Sequence, residues 1–176
     1  LDLTKEILLK ELNFIKTLKE PLFIEQLEGR FELILNYQIN EQDIPLKFVG
    51  YIDRIDRIGD HYRVIDYKSG KVEAKEVKIT SKNDALTNLS TPKHTLQLSL
   101  YCLFFQEKFG FIPQEARIES LINRESDFAL NIDQSKDLSP IPDLLNEGLS
   151  TLLHELLDPA IKFEHLPDAK YCQFCS

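Results

Sequence analysis

Methionine is absent from the 176 residues, cysteine occurs only three times, and no apolar run reaches the roughly 18 residues that span a bilayer. The last absence excludes a membrane-spanning helix. With no basic, apolar leader in view, the expected setting is soluble and cytoplasmic, with no membrane partner. Three cysteines, two of them close together at Cys172 and Cys175, do not make a disulfide framework and suit a reducing compartment. A chain that opens at Leu1 without methionine is expected to be a fragment of a longer protein, with parts of any site elsewhere. Positive charge is also scarce. The 21 Lys and Arg face 29 Asp and Glu, a net charge of -8, which argues against a protein that coats nucleic acid indiscriminately.

A hydrophobic content of 43% excludes disorder and fits a single domain over residues 1–176 with a core of ordinary size. The positive charge that exists is concentrated: residues 54–93 hold nine Lys or Arg against six Asp or Glu. Such a segment is either a solvated loop or a patch facing an anionic partner.

Residues 3–18 place Leu3, Ile7, Leu8, Leu12, Ile15 and Leu18 on one stripe of an amphipathic helix. Pro21 closes it, a helical turn through Phe23 and Leu27 is expected, and Phe31, Leu33 and Leu35 alternate as a strand. Residues 46–58 and 61–68 read as the two strands of a hairpin around Gly59-Asp60. Residues 71–92 lack an apolar period and read as a long loop, a common place for function. A helix from about Leu96 that stops at Gly110, strands near 116–122 and 128–132, and a last helix over 140–157 follow. The order is α-β-β-β-α-β-β-α, an α/β fold with a central sheet flanked by helices.

If Gly59 and Asp60 form the turn, Asp56 faces Arg63, Arg57 faces Tyr62, and Asp53 faces Asp66. Opposed side chains have Cβ atoms about 4.5–5.5 Å apart, where like charges destabilise. A divalent metal between hard oxygen ligands, Mg²⁺ or Mn²⁺, would relieve the Asp53–Asp66 repulsion. So would neutralisation by Lys68, which shares the face of Asp66, or protonation of one aspartate.

Gly50-Tyr51-Ile52-Asp53-Arg54-Ile55-Asp56 followed by Val64-Ile65-Asp66-Tyr67-Lys68-Ser69-Gly70 resembles the RecB/AddB-like branch of the PD-(D/E)XK nuclease superfamily. That branch reads G-x-I-D-R-I-D, then I-D-Y-K-[ST]-G. The resemblance runs from about residue 22 to the end and implies a restriction-endonuclease-like fold with a mixed sheet and a catalytic hairpin. It implies that Asp53, Asp66 and the carbonyl of Tyr67 hold the metal while Lys68 orients a water. Glu28 resembles the acidic residue on the helix that leads into the first strand. Gln97 and Tyr101 are similar to a Q-x-x-x-Y motif, and at i and i+4 they share a helix face that could bond a phosphate. Lys71, Lys75, Lys78 and Lys82 would add unspecific phosphate contacts.

Cys172-Gln173-Phe174-Cys175 resembles the start of a cysteine cluster that in some relatives holds [4Fe-4S]. Such a cluster needs four thiolates and Cys102 reads as a core residue, so the expectation applies to the full-length protein only. The metal-binding histidine usual on an early helix has no counterpart, since the first histidine is His61. The resemblance implies a DNA exonuclease of recombination and repair, acting on single strands or duplex ends with a helicase subunit or domain. The alternative is an inactive nuclease-like domain that binds DNA or a helicase.

Overall fold

The central β-rich stretch makes the frame of the molecule. The computed structural model describes residues 3–39, 42–79, 93–122 and 128–162. Helix α1 (Leu3–Thr17) precedes strands β1 (Leu22–Ile39), β2 (Gln42–Ile58) and β3 (His61–Lys68), each antiparallel to the one before. A 3-10 turn (Ala74–Val77) and the short β4 (Lys78–Ile79) lead to α2 (Lys93–Phe109). That helix carries the chain across to β5 (Glu115–Ser120), which lies parallel to β3, as a crossover must. β6 (Asn131–Ile132) pairs with β4 in a small second sheet, and α3 (Ile141–Leu157) follows. The main sheet runs β1-β2-β3-β5 and is mixed, so the expected α/β architecture and element order hold, with β4 added.

The hairpin has the expected register. Gly59 takes a left-handed turn conformation (φ 57°), which glycine adopts without a Cβ penalty. Outward from it Ile58 faces His61, Arg57 faces Tyr62, Asp56 faces Arg63 and Arg54 faces Ile65. Arg63 donates to Asp56 Oδ2 at 2.6 Å, and the Arg57 guanidinium lies 6.0 Å from the Tyr62 ring. Both faces of β3 are covered. Tyr62 packs on Phe105 of α2, and Asp66 meets Gln97 of the same helix. On the other face Arg63 lies over Phe14 of α1.

Apolar burial seats α2 on the sheet through Phe31, Leu33, Ile52, Ile55, Val64, Leu98 and Phe105. Gly50 allows the approach: a Cβ there would stand 2.5 Å from the Phe104 ring. The far end of the β1–β2 ribbon packs on α3 through Tyr37, Ile39 and Leu153. No described helix is long and apolar enough to cross a membrane.

Three expectations need correction. Residues 23–27 are not a helical turn but part of β1, with a register irregularity between Ile24 and Gln26. Their apolar residues suit either form, and pairing with β2 as far as Leu22–Ile58 supplies ladder bonds that a single helical turn could not. The expected loop over 71–92 contains the 3-10 turn and β4, anchored by buried Val72, Val77 and Ile79; residues 80–92 lie outside the described residues. The stripe of α1 is not all turned inward, since Leu8, Leu12 and Ile15 are exposed. Charge holds this helix instead: Lys10 pairs with Glu119, and Glu11 accepts from Arg54, each at 2.6 Å.

Arg54 and Arg63 both donate to Asp56, which is fully buried, at 2.5 and 2.6 Å. Burial works against the charge of Arg54, yet its bonds to Asp56 and Glu11 outweigh this and hold its pKa above the ordinary value. Asp56→Ala would leave two buried guanidinium groups short of their acceptor. The expected loss is about 3–5 kcal/mol, the range for breaking a buried ion pair. Urea unfolding measures it, and a change below about 1 kcal/mol would contradict this role.

Candidate active site

The site forms where the alternation of β2 slips. Ile52 and Ile55 are three residues apart yet lie in the same core cluster, so the period of two is broken at Asp53 and Arg54. On β1 the same level is occupied by Glu28, between the Leu27–Arg54 and Gly29–Ile52 pairs. Its backbone is left-handed (φ 45°), a conformation that costs a residue with a Cβ about 1–2 kcal/mol. Glu28 is thus a strand residue, and its expected place on a helix is corrected. It still lines an open cavity of about 570 Å³ with Leu27, Asp53 and Tyr67.

The paired ladder of β2 and β3 stops at Arg54–Ile65, one step short of Asp53 and Asp66. The Asp53 carboxylate turns to accept the Tyr67 N–H at 2.7 Å. Asp66 is 2% exposed, and three side chains surround it. Gln97 Nε2 donates to Asp66 Oδ1 at 2.8 Å, Tyr101 Oη donates to the same oxygen at 3.4 Å, and Lys68 Nζ stands 2.7 Å from Oδ2. Lys68 also donates to Gln97 Oε1 at 3.0 Å, which closes the ring of contacts. The i, i+4 spacing does put Gln97 and Tyr101 on one helix face, but that face meets Asp66 and not open solvent.

Burial raises the pKa of Asp66; the Lys68 ammonium opposes the shift and the nearby Asp53 charge adds to it. The Tyr101 hydroxyl is pushed up to about 12, mainly by burial, so it stays a donor. The Lys68 contact lacks the angle of a directed hydrogen bond, and Asp66 Oδ2 is buried without one. A buried carboxylate oxygen with an unused lone pair, next to a second carboxylate, fits a hard divalent cation. Among the described residues no three His, Cys, Asp or Glu side chains converge. A two-carboxylate set suits Mg²⁺, which keeps waters and shares substrate oxygens.

Lys71, Lys75 and Lys78 are exposed, with Lys75 paired to Glu73 at 2.8 Å. Lys82, Cys172 and Cys175 lie outside the described residues. Cys102 is buried in α2, its thiol pushed up to about 12 by burial, as a core residue. One connection has no signal in the sequence: Arg54 Nη1 donates to Tyr67 Oη at 3.1 Å while Nη2 reaches Glu11. Only the fold brings residues 43 apart in sequence together.

A family model described as the PD-(D/E)XK nuclease superfamily matches residues 3–176. A solved structure titled "Crystal structure of SSO0001" is similar at 16% identity and a TM-score of 0.35, over 90% of this chain and 61% of that one. The chain therefore spans less than two thirds of that protein's length. No curated protein matches the sequence.

The raised pKa of Asp66 sets a pH dependence. Its protonation stabilises the fold below the unfolded aspartate pKa, and that contribution is lost as pH rises through the higher folded value. In metal-free buffer Asp66→Asn is expected to match wild type at about pH 4 and to gain on it toward about pH 7.5, by up to about 1 kcal/mol. Urea unfolding at both pH values checks this, and a variant that falls behind wild type as pH rises would contradict it.

Proposed function

The chain belongs to the PD-(D/E)XK nuclease superfamily, and from that premise we propose that it is a Mg²⁺- or Mn²⁺-dependent DNA nuclease that uses Asp53, Asp66 and Lys68. The observation that carries the reading is the buried Asp66 carboxylate, 2.7 Å from Lys68, with the nearby Asp53 lining a cavity open to solvent.

Asp53 and Asp66 would hold the cation with the Tyr67 carbonyl, and Glu28, which lines the same cavity as Asp53, would position its shell. A divalent ion bound there supplies a Lewis acid that lowers the pKa of a water and offsets charge developing on a phosphate. Lys68 Nζ, set beside Asp66, would donate to the attacking water and to the developing oxyanion. Gln97 donates to Asp66 and accepts from Lys68, so one amide fixes the spacing of carboxylate and ammonium. Tyr101 donates to Asp66 and shields it from water. These two residues thereby act on the catalytic pair, and a direct phosphate contact would need them to turn outward. Exposed Lys71, Lys75 and Lys78, with Lys82 beyond the described residues, supply backbone contacts and hence salt-dependent affinity. An acidic protein tolerates this because only one patch needs to be basic.

Exonuclease action in recombination and repair with a helicase subunit or domain is part of the proposal, supported by the Gly50–Asp56 and Val64–Gly70 motifs. The competing reading is a domain that binds DNA without cutting it, favoured by the inward-facing Gln97 and Tyr101 and by the small acid set.

Cleavage of labelled DNA by the full-length protein with Mn²⁺ separates the two. Asp66→Ala is expected to abolish cleavage with binding kept, and Lys68→Ala to lower the rate by about 10²–10³-fold, as for loss of one preorganised electrostatic contact. Cleavage that survives Asp66→Ala would show that the chemistry lies elsewhere.

A further inference from the structure

The two edges of the main sheet are finished differently. At β5 the chain closes its own edge: Ile118 N–H donates to the Phe128 carbonyl at 3.1 Å, and Leu130 N–H to the Ala116 carbonyl at 2.8 Å. At β1 no strand pairs with the outer edge among the described residues. The first part of β1 is still a poor template, because its register slips between Ile24 and Gln26 and Glu28 is left-handed. From Gly29 to Ile39 the register with β2 is unbroken. This stretch holds no proline and no lysine, and residues 33–39 carry no charge at all. Ile34 stands 61% exposed at its middle. An edge so long, regular and apolar lacks the devices that usually keep another strand away.

We propose that this edge receives a second copy of the chain, β1 antiparallel to β1 about a twofold axis through Ile34, so that the two sheets join into one. The strand's own residues select this occupant. A twofold axis perpendicular to a sheet keeps every side chain on its own face, so residues paired across it lie an even number apart. The regular stretch runs from Gly29 to Ile39, and only a register centred on Ile34 pairs it from end to end. That register sets Ile34 against its twin, Arg30 against the partner's Gln38 and Glu32 against the partner's Asn36. On the other face Leu33 meets the partner's Leu35, and Phe31 meets the partner's Tyr37. Each charge faces an amide, apolar faces apolar, and no like charges are opposed. A register centred on Glu32 would set two glutamates against each other. Phe31, Leu33 and Tyr37 are already buried within one copy, so the pairing draws on backbone hydrogen bonds and on covering Ile34.

Sedimentation equilibrium over a range of concentrations measures the association, for wild type and Ile34→Lys. Wild type is expected to pass from monomer to dimer. Ile34→Lys is expected to raise the dissociation constant more than about tenfold, since the dimer loses two covered isoleucines and gains two opposed ammonium groups. Single cysteines then read the register on a non-reducing gel, against a wild-type baseline for Cys102, Cys172 and Cys175. Opposed Cα atoms in an antiparallel pair are about 4.5–5.5 Å apart, within reach of a disulfide. Ile34→Cys is therefore expected to link to itself under mild oxidation. Glu32→Cys is not, because its twin lies four residues along the strand, but it is expected to link to Asn36→Cys when the two variants are mixed. The cysteine variants serve if Ile34→Lys unfolds. A wild type that stays monomeric throughout, a dimer that Ile34→Lys leaves unchanged, or a dimer that Ile34→Cys fails to link would each overturn the pairing.

Discussion

Placing a carboxylate in the interior of a sheet is unfavourable unless a positive partner or hydrogen-bond donors recover the lost hydration. Asp66 is such a group, and much of the fold is arranged around it. Lys68 follows two residues later on the same strand and so returns to the same face, where it supplies one positive charge. Gln97 and Tyr101 supply the donors from α2. Asp53 works in the opposite direction, because its charge adds to the shift that burial imposes. One ammonium next to two carboxylates leaves the cluster with a net negative charge, which favours a bound cation.

The surrounding packing keeps these groups within reach of each other. Gly50 lets β2 come close enough to Phe104 for α2 to lie flat, which brings Gln97 over Asp66. On the opposite face Asp56 gathers Arg54 and Arg63, and Arg54 extends to Tyr67 and Glu11. This second network ties α1 to the strand whose backbone holds Asp53. The two faces of β3 therefore carry different loads: apolar packing and the Asp66–Lys68 pair on one, a charged brace on the other.

The hairpin was legible because its information is local. Gly59-Asp60 sets the register, and the register puts Asp56 against Arg63 and Lys68 on the face of Asp66. Helix α2 was legible from its leucine and phenylalanine spacing and from Gly110, which takes φ 82° just past its end. Glu28 was assigned to the right neighbourhood but to the wrong element, because the apolar residues 22–27 fit a turn of helix as well as a strand, and only pairing with β2 decides. The segment after Gly70 looked like a loop since its 3-10 turn and β4 are too short to show a period. The slip of β2 at Asp53 and the bond from Arg54 to Glu11 have no sequence signal, because both arise when distant strands and helices meet.

If the charge imbalance around Asp66 is the organising feature, a divalent cation should stabilise the folded chain, and only while both aspartates are present. Thermal unfolding across a Mn²⁺ titration, for wild type, Asp53→Ala and Asp66→Ala, measures this directly. Saturable stabilisation of wild type, about 2.7 kcal/mol at one hundred times Kd, with none in either variant, is the expected result. Equal stabilisation of all three proteins, or none in wild type, would contradict a metal site between Asp53 and Asp66.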